Sequence, residues 1–235
     1  MKTVAIIPAG GAGRRMGGGV PKQFLPLAGI PVLVRTLQAF QRSPFIDEIF
    51  LAVPEGDIAA VRHDIVEVYG LSKIGLVLPG GVERQDSVGK ALAHLRDDHG
   101  IVIVHDAVRP FVTGDLIRQV VAAAEGHGAA VAGIPIRDTV KRVGAPGVVV
   151  ETVERKGLGL AQTPQAFHRK LICTAYERAV QDGFVGTDDA SLVERLGISV
   201  RMIPGDHDNI KITTPEDLAL GGIILHRFSS EWLGQ

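Results

Sequence analysis

The chain has 235 residues, 46% hydrophobic and 22% charged, which is enough apolar material for one sizeable core with at most an appendage. A formal net charge of −1 argues against extended nucleic-acid binding, so any affinity for phosphate must come from local clusters. The single Cys173 excludes an intrachain disulfide framework, and no apolar run approaches about 18 residues, so a soluble cytoplasmic protein is expected.

The first apolar run, Val4 to Ile7, predicts a buried strand and opens into Ile7 to Phe24, which holds six glycines with Arg14, Arg15 and Lys22. Glycine lets backbone N–H groups approach phosphate oxygens, and the three cations can neutralise charge gathered there. The loop is neither a Walker A sequence nor a complete dinucleotide fingerprint, because Gly11-Ala-Gly13 lacks the third glycine and the downstream acid.

Beyond it, Val32, Leu33, Leu37 and Phe40 have helical spacing, Ile49 to Val53 reads as a strand, and Val61, Ile65 and Val68 predict another helix. The alternation continues through a strand at Ile74 to Leu78, a helix carrying Val88, Leu92 and Leu95, and a strand at Ile101 to His105. A helix with Leu116, Val120 and Ala123 and a strand at Ala130 to Ile134 follow. Strand and helix in turn imply an α/β fold, a Rossmann-like and mostly parallel sheet flanked by helices.

Residues 137–156 break the rhythm. Asp138 to Val143, a turn at Gly144 to Gly147 and Val148 to Val153 predict a β-hairpin arm projecting from a single domain that spans residues 1–235. A lone two-stranded ribbon is marginal in water, so its apolar residues are expected to pack on a second subunit in a homodimer. Helices at Arg169 to Asp182 and about Asp188 to Leu196, a strand at Ser199 to Ile203 and a helix from Thr214-Pro-Glu-Asp217 complete the chain. Cys173, in Leu171 to Tyr176, reads as part of a buried helical face.

Three segments after strands could reach a common ligand, since open α/β sheets bind outside the carboxyl ends of their strands. Gly80-Gly-Val-Glu-Arg-Gln-Asp-Ser87 could aim N–H groups and a hydroxyl at it, or Asp86 or Ser87 could simply cap a helix. Asp106 and Arg109, in His105-Asp-Ala-Val-Arg-Pro110, could contact ligand or form a structural ion pair, with His105 packing at the strand end. In Asp208-Asn-Ile-Lys-Ile-Thr213, strand alternation sends Lys211 opposite Ile210 and Ile212, either into the site or to solvent. The remaining histidines show no metal-ligand spacing.

Together with Pro21-Lys-Gln-Phe24, Arg137-Asp-Thr139, Thr152-Val-Glu-Arg155 and Gln162-Thr-Pro-Gln165, these segments closely resemble, in order and over nearly the whole chain, the 2-C-methyl-D-erythritol 4-phosphate cytidylyltransferase (IspD) family. The resemblance implies a nucleotidyltransferase fold and the transfer of a cytidylyl group from CTP to methylerythritol phosphate, in the non-mevalonate isoprenoid pathway. It implies that Pro8, Ala9, Gly10, Gly11, Gly13, Gly81, Arg84 and Ser87 hold the nucleotide, with Arg15 and Lys22 at the α-phosphorus. Asp106, Arg109, Thr163 and Lys211 would serve the second substrate, and Thr139 and Arg155 would reach its phosphate from the partner's arm. Arg15, Lys22, Arg155 and Lys211 are then the catalytic cations. Magnesium or another divalent cation would ride mainly on the CTP phosphates, with Asp106 the protein candidate beside it. No nucleic acid or membrane partner is implied.

Two departures from the family pattern are Val82, where some relatives carry an acid, and Gly159, where a larger aromatic is common. A ribitol 5-phosphate cytidylyltransferase shares the glycine-rich loop, the His-Asp-Ala-x-Arg-Pro motif and the arm, and a nucleotide sensor that has lost catalysis is the non-enzymatic alternative. The Thr152 to Arg155 and Arg137 to Thr139 segments favour methylerythritol phosphate.

Overall fold

A computed structural model describes residues 1–11 and 20–232. Gly13 and Arg15, both expected in the nucleotide loop, lie outside the described residues. The strands are β1 (Lys2–Pro8), β2 (Pro26–Leu27), β3 (Ile30–Pro31), β4 (Glu48–Val53), β5 (Ile74–Pro79) and β6 (His99–Val104). They are followed by β7 (Ala129–Pro135), β8 (Val140–Val143), β9 (Val149–Val153), β10 (Gly159–His168) and β11 (Arg201–Pro204). The helices are α1 (Val32–Arg42), α2 (Ile58–Ala60, continuing in wider π-helical turns over Val61–Glu67), α3 (Arg84–Leu92), α4 (Gly114–His127), α5 (Arg169–Gln181), α6 (Asp189–Glu194) and α7 (Pro215–Trp232).

Seven strands form one sheet in the order β11-β7-β10-β6-β1-β4-β5. Successive side chains of a strand point to opposite faces, so each buried strand feeds two cores. Ala5 and Ile7 of β1, with Ile49, Leu51 and Val53 of β4, pack against Leu33, Leu37 and Phe40 of α1 and Leu116, Ile117 and Val120 of α4. Val4, Ile6, Phe50 and Ala52 face the other way, against Val88 and Leu92 of α3 and Ile172, Ala175 and Tyr176 of α5. A smaller cluster of Leu27, Val32, Val108, Phe111, Ile212 and Ile224 seats α7 beside the carboxyl edge.

The predicted strands and helices are present, and the sheet is parallel except at one strand. β1 pairs in parallel with β4 and β6, β4 with β5, and β7 with β11. β10, which the sequence reading leaves as a motif without a strand, runs antiparallel between β6 and β7. Its Pro164 falls in the pairing gap between Ala161 and Gln165, so the missing N–H costs no ladder hydrogen bond. The gap is closed by side chains. Gln162 Nε2 donates to the Asp206 carbonyl at 2.7 Å and its Oε1 accepts from the Asp206 N–H at 3.2 Å, so this amide pairs with the chain as a peptide group would.

β8 and β9 pair antiparallel as a separate two-stranded ribbon, where residues 137–156 predict the arm. Its Val143, Val148, Val149 and Val150 are exposed, as are Leu158 and Leu160 beside it. Cys173 is half-buried beside the α5 core, and no helix among the described residues is long and apolar enough to cross a membrane.

Candidate active site

Strand order reverses at β1. The chain adds β4 and β5 on one side of β1 and then returns to place β6 on the other, which opens a crevice at the carboxyl edge. Backbone bonds bring the following loops together there: Ala9 N–H donates to the Ala52 carbonyl, Gly80 N–H to Val53 and His105 N–H to Ile6, at 2.7, 2.7 and 3.0 Å. The resulting cleft has a volume of about 290 Å³. Pro8 to Gly11 and Lys22 form one wall, Gly81 to Arg84 with Ser87 another, and Asp106 to Val108 with Lys211 the base.

Each wall has a local cause. Gln23 is buried in the short 3-10 turn Lys22–Phe24, and its Nε2 donates to the Ala9 carbonyl at 2.7 Å, tying the Lys22 segment to the end of β1. Across the cleft, α3 is capped by Glu83 and Asp86 in a reciprocal capping box, leaving Ser87 for another task. The buried Ser87 hydroxyl accepts the Gly81 N–H at 2.9 Å and donates to the Glu83 carbonyl at 3.3 Å, which fixes the bend of the loop. A Cβ on Gly81 would lie 2.1 Å from the Asp86 Cβ, so only glycine fits against that cap. Val82 is almost fully exposed at the rim.

The base is electrostatic. Asp106 is buried, and its Oδ1 meets Arg84 Nε at 3.1 Å while its Oδ2 meets Arg109 Nε at 3.2 Å and Lys211 Nζ at 3.0 Å. Burial pushes the carboxyl up, but Arg84, Lys211 and Arg109 outweigh it and hold the group well below the usual carboxylate range. Arg84 also donates to the fully buried Asp189 at 2.7 Å, and these two carboxylates overcome its burial to keep it firmly charged. The Asp106 N–H donates to Thr163 Oγ1 at 3.0 Å, so Thr163 supports the base from β10 without lining the cleft.

Lys211 reaches Asp106 from an irregular segment rather than from a regular strand. The predicted alternation survives locally, because Ile212 is buried and its N–H donates to the Val108 carbonyl at 2.9 Å. Arg109 also donates to the Asn209 carbonyl at 2.8 Å and does not line the cleft, whereas Asp106 does. Gln23, Glu83, Ala107 and Val108 line the cleft and are missed as individual site residues, although all four lie inside the motifs that mark the site in the sequence.

His105 is packed at the strand end, as expected. Its Nε2 donates to the Arg109 carbonyl at 3.0 Å and its ring lies 4.9 Å from that of Phe40. Full burial pushes its pKa down to about 4, so it is neutral at physiological pH. Thr139 and Arg155 are exposed and line no part of this cleft, and Arg155 donates to the Arg137 carbonyl within the arm.

Asp106 does not suit a divalent cation, because three positive groups within 3.2 Å of its oxygens oppose a fourth. Among the described residues, no group of three or more histidine, cysteine or acidic side chains is placed to hold one.

Fold and cleft place the chain among the α/β nucleotidyltransferases. Residues 3–227 match the pattern of IspD, 2-C-methyl-D-erythritol 4-phosphate cytidylyltransferase, and the chain belongs to that family. It is 53% identical to the 2-C-methyl-D-erythritol 4-phosphate cytidylyltransferase of Syntrophus aciditrophicus, covering 96% of this chain and 97% of the relative. The enzyme of the same name from Symbiobacterium thermophilum is 49% identical, over 94% and 91% of the two chains. Among solved structures, 4-diphosphocytidyl-2C-methyl-D-erythritol synthase from Anaerococcus prevotii superposes with a TM-score of 0.85 at 32% identity, covering 96% of each chain. The cytidylyltransferase from Thermus thermophilus gives 0.78 at 32% identity, over 94% and 98%.

Proposed function

We propose that this cleft is where the family's reaction takes place in this chain. The cytidylyl group of CTP passes to 2-C-methyl-D-erythritol 4-phosphate, giving 4-diphosphocytidyl-2-C-methyl-D-erythritol and pyrophosphate. The observation that carries the assignment is the convergence of Lys22, Arg84 and Lys211 around one small crevice whose buried carboxylate, Asp106, is itself surrounded by cations.

A phosphate monoester is already largely deprotonated at neutral pH and needs no protein nucleophile or strong base. The barrier lies in bringing two polyanions together and stabilising the charge of the in-line transition state. Lys22 would face the α-phosphate from the β1 side, with Arg15 in the same loop, while backbone groups of Pro8 to Gly11 and Gly81, braced by Ser87, line the nucleotide. Asp106, itself held by Arg109, would hold Lys211 at the base, ready for the acceptor phosphate, with Thr163 fixing Asp106 from behind. The family typically uses a divalent cation, which the nucleotide's phosphates would carry rather than a protein carboxylate.

The exposed valines of the arm support a homodimer in which Thr139 and Arg155 enter the partner's cleft. The deciding assay supplies CTP and methylerythritol phosphate and measures pyrophosphate and product, with UTP, ATP and GTP as competing donors and ribitol 5-phosphate as the competing acceptor. Turnover only with ribitol 5-phosphate would overturn the acceptor, and nucleotide binding without turnover would mean a sensor.

A further inference from the structure

Behind the cleft, Arg84 does not end at Asp106. Its guanidinium spans two carboxylates, with Nε to Asp106 Oδ1 at 3.1 Å and Nη2 to Asp189 Oδ2 at 2.7 Å. Asp189 is wholly buried at the start of α6, and its second oxygen accepts the Tyr176 hydroxyl of α5 at 2.5 Å. Burial and the adjacent Asp189 push the Tyr176 phenol well above its ordinary range, so it remains a donor. Neither Asp189 nor Tyr176 lines the cleft.

We propose that Asp189, fixed by Tyr176, is a positioning residue that presets Arg84 and thereby the orientation of Asp106 and Lys211. An arginine fork held at one edge can rotate little about its own axis, so the edge offered to Asp106 is set in advance. With Oδ1 of Asp106 occupied by Arg84, Oδ2 is left to Arg109 and Lys211, which defines where the Lys211 ammonium stands in the cleft. Arg84 thus acts as the link between a buried anchor and the acceptor end of the site, which rests on the function proposed above.

Asp189→Asn weakens the anchor without changing its size. The amide keeps one acceptor oxygen for two donors, and in either orientation the negative charge that holds the guanidinium is gone. Turnover measured well below the unfolding midpoint should fall on the order of tenfold to a hundredfold. Arg84→Gln should fall to a similar level, and the double variant no further, because both changes break the same link. Tyr176→Phe should give a smaller loss that disappears in the Arg84→Gln background, and this pair decides the matter if Asp189→Asn does not fold. Unchanged turnover in a folded Asp189→Asn or Tyr176→Phe protein, or losses that multiply with that of Arg84→Gln, would overturn the proposal. The wild-type protein in the same assay separates this failure from failure of the proposed function, since only the latter abolishes wild-type turnover.

Discussion

Burial of a neutral imidazole beside the cleft makes stability depend on pH in a way that a single substitution can isolate. His105 is 0% exposed, and its pKa falls from the ordinary 6.5 to about 4 because burial disfavours its charged form. Between those values the unfolded chain binds a proton that the folded chain does not, so stability rises with pH across this window. The contribution is fully present above 6.5, erodes as pH falls, and is gone near 4. From about pH 7.5 to about pH 4.5 the difference amounts to about 2.5 kcal/mol, or roughly 5–10 °C in the midpoint of a chain of this size.

His105→Gln keeps an N–H donor near the position of Nε2, able to serve the Arg109 carbonyl, and removes the titration. Asp106 stays ionised in the folded protein throughout this range, and the small slope it adds as the unfolded chain begins to protonate is common to both proteins. Equilibrium urea unfolding of both proteins at the two pH values isolates the His105 contribution, since other titrating groups cancel in the comparison. Wild type should lose about 2.5 kcal/mol more than the variant on acidification. Equal losses would refute the argument that this imidazole is buried neutral.

Lys22→Ala and Arg15→Ala should fold normally and each lose on the order of 10²- to 10³-fold in turnover, and near-wild-type rates would remove them from the transition state. Mixing Arg155→Ala with Lys22→Ala subunits should restore part of the activity if the arm crosses between subunits. No recovery after verified subunit exchange would mean that each chain supplies its own Arg155. Gly81→Ala forces a Cβ onto the Asp86 Cβ, at 2.1 Å before relaxation, so the loop must move; CTP should bind more weakly in calorimetry, with unaltered affinity counting against Gly81 as part of the nucleotide wall.

The parallel part of the sheet is legible because its strands are short apolar runs separated by helical spacing, and burial on both faces leaves few other arrangements. β10 is not legible for the opposite reason. Gln162, Pro164 and Gln165 interrupt any apolar or alternating pattern, yet the Gln162 amide pairs with Asp206 beside the gap in the ladder and the Gln165 amide ties β10 to the start of α6 through Asp188 and Ala190. Such bonds reach 23 to 44 residues along the chain, and no local pattern reports them. Ala107 and Val108 carry no chemistry of their own and enter the site only through their place after β6, inside the motif that bears Asp106 and Arg109.

The sequence by itself determines the order of the parallel strands and the helices, the motif-bearing loops after them and the family, because these depend on local periodicity and on short motifs whose residue types state their chemistry. Only the tertiary structure decides how the charges are shared. It turns Ser87 from a possible helix cap into the brace of Gly81, makes Asp106 the shared counter-ion of Arg84, Arg109 and Lys211, and anchors Arg84 on Asp189. The physical reason is that Coulomb and hydrogen-bond energies depend on separations of a few ångströms between residues as many as 105 positions apart, which the fold sets and the linear order does not.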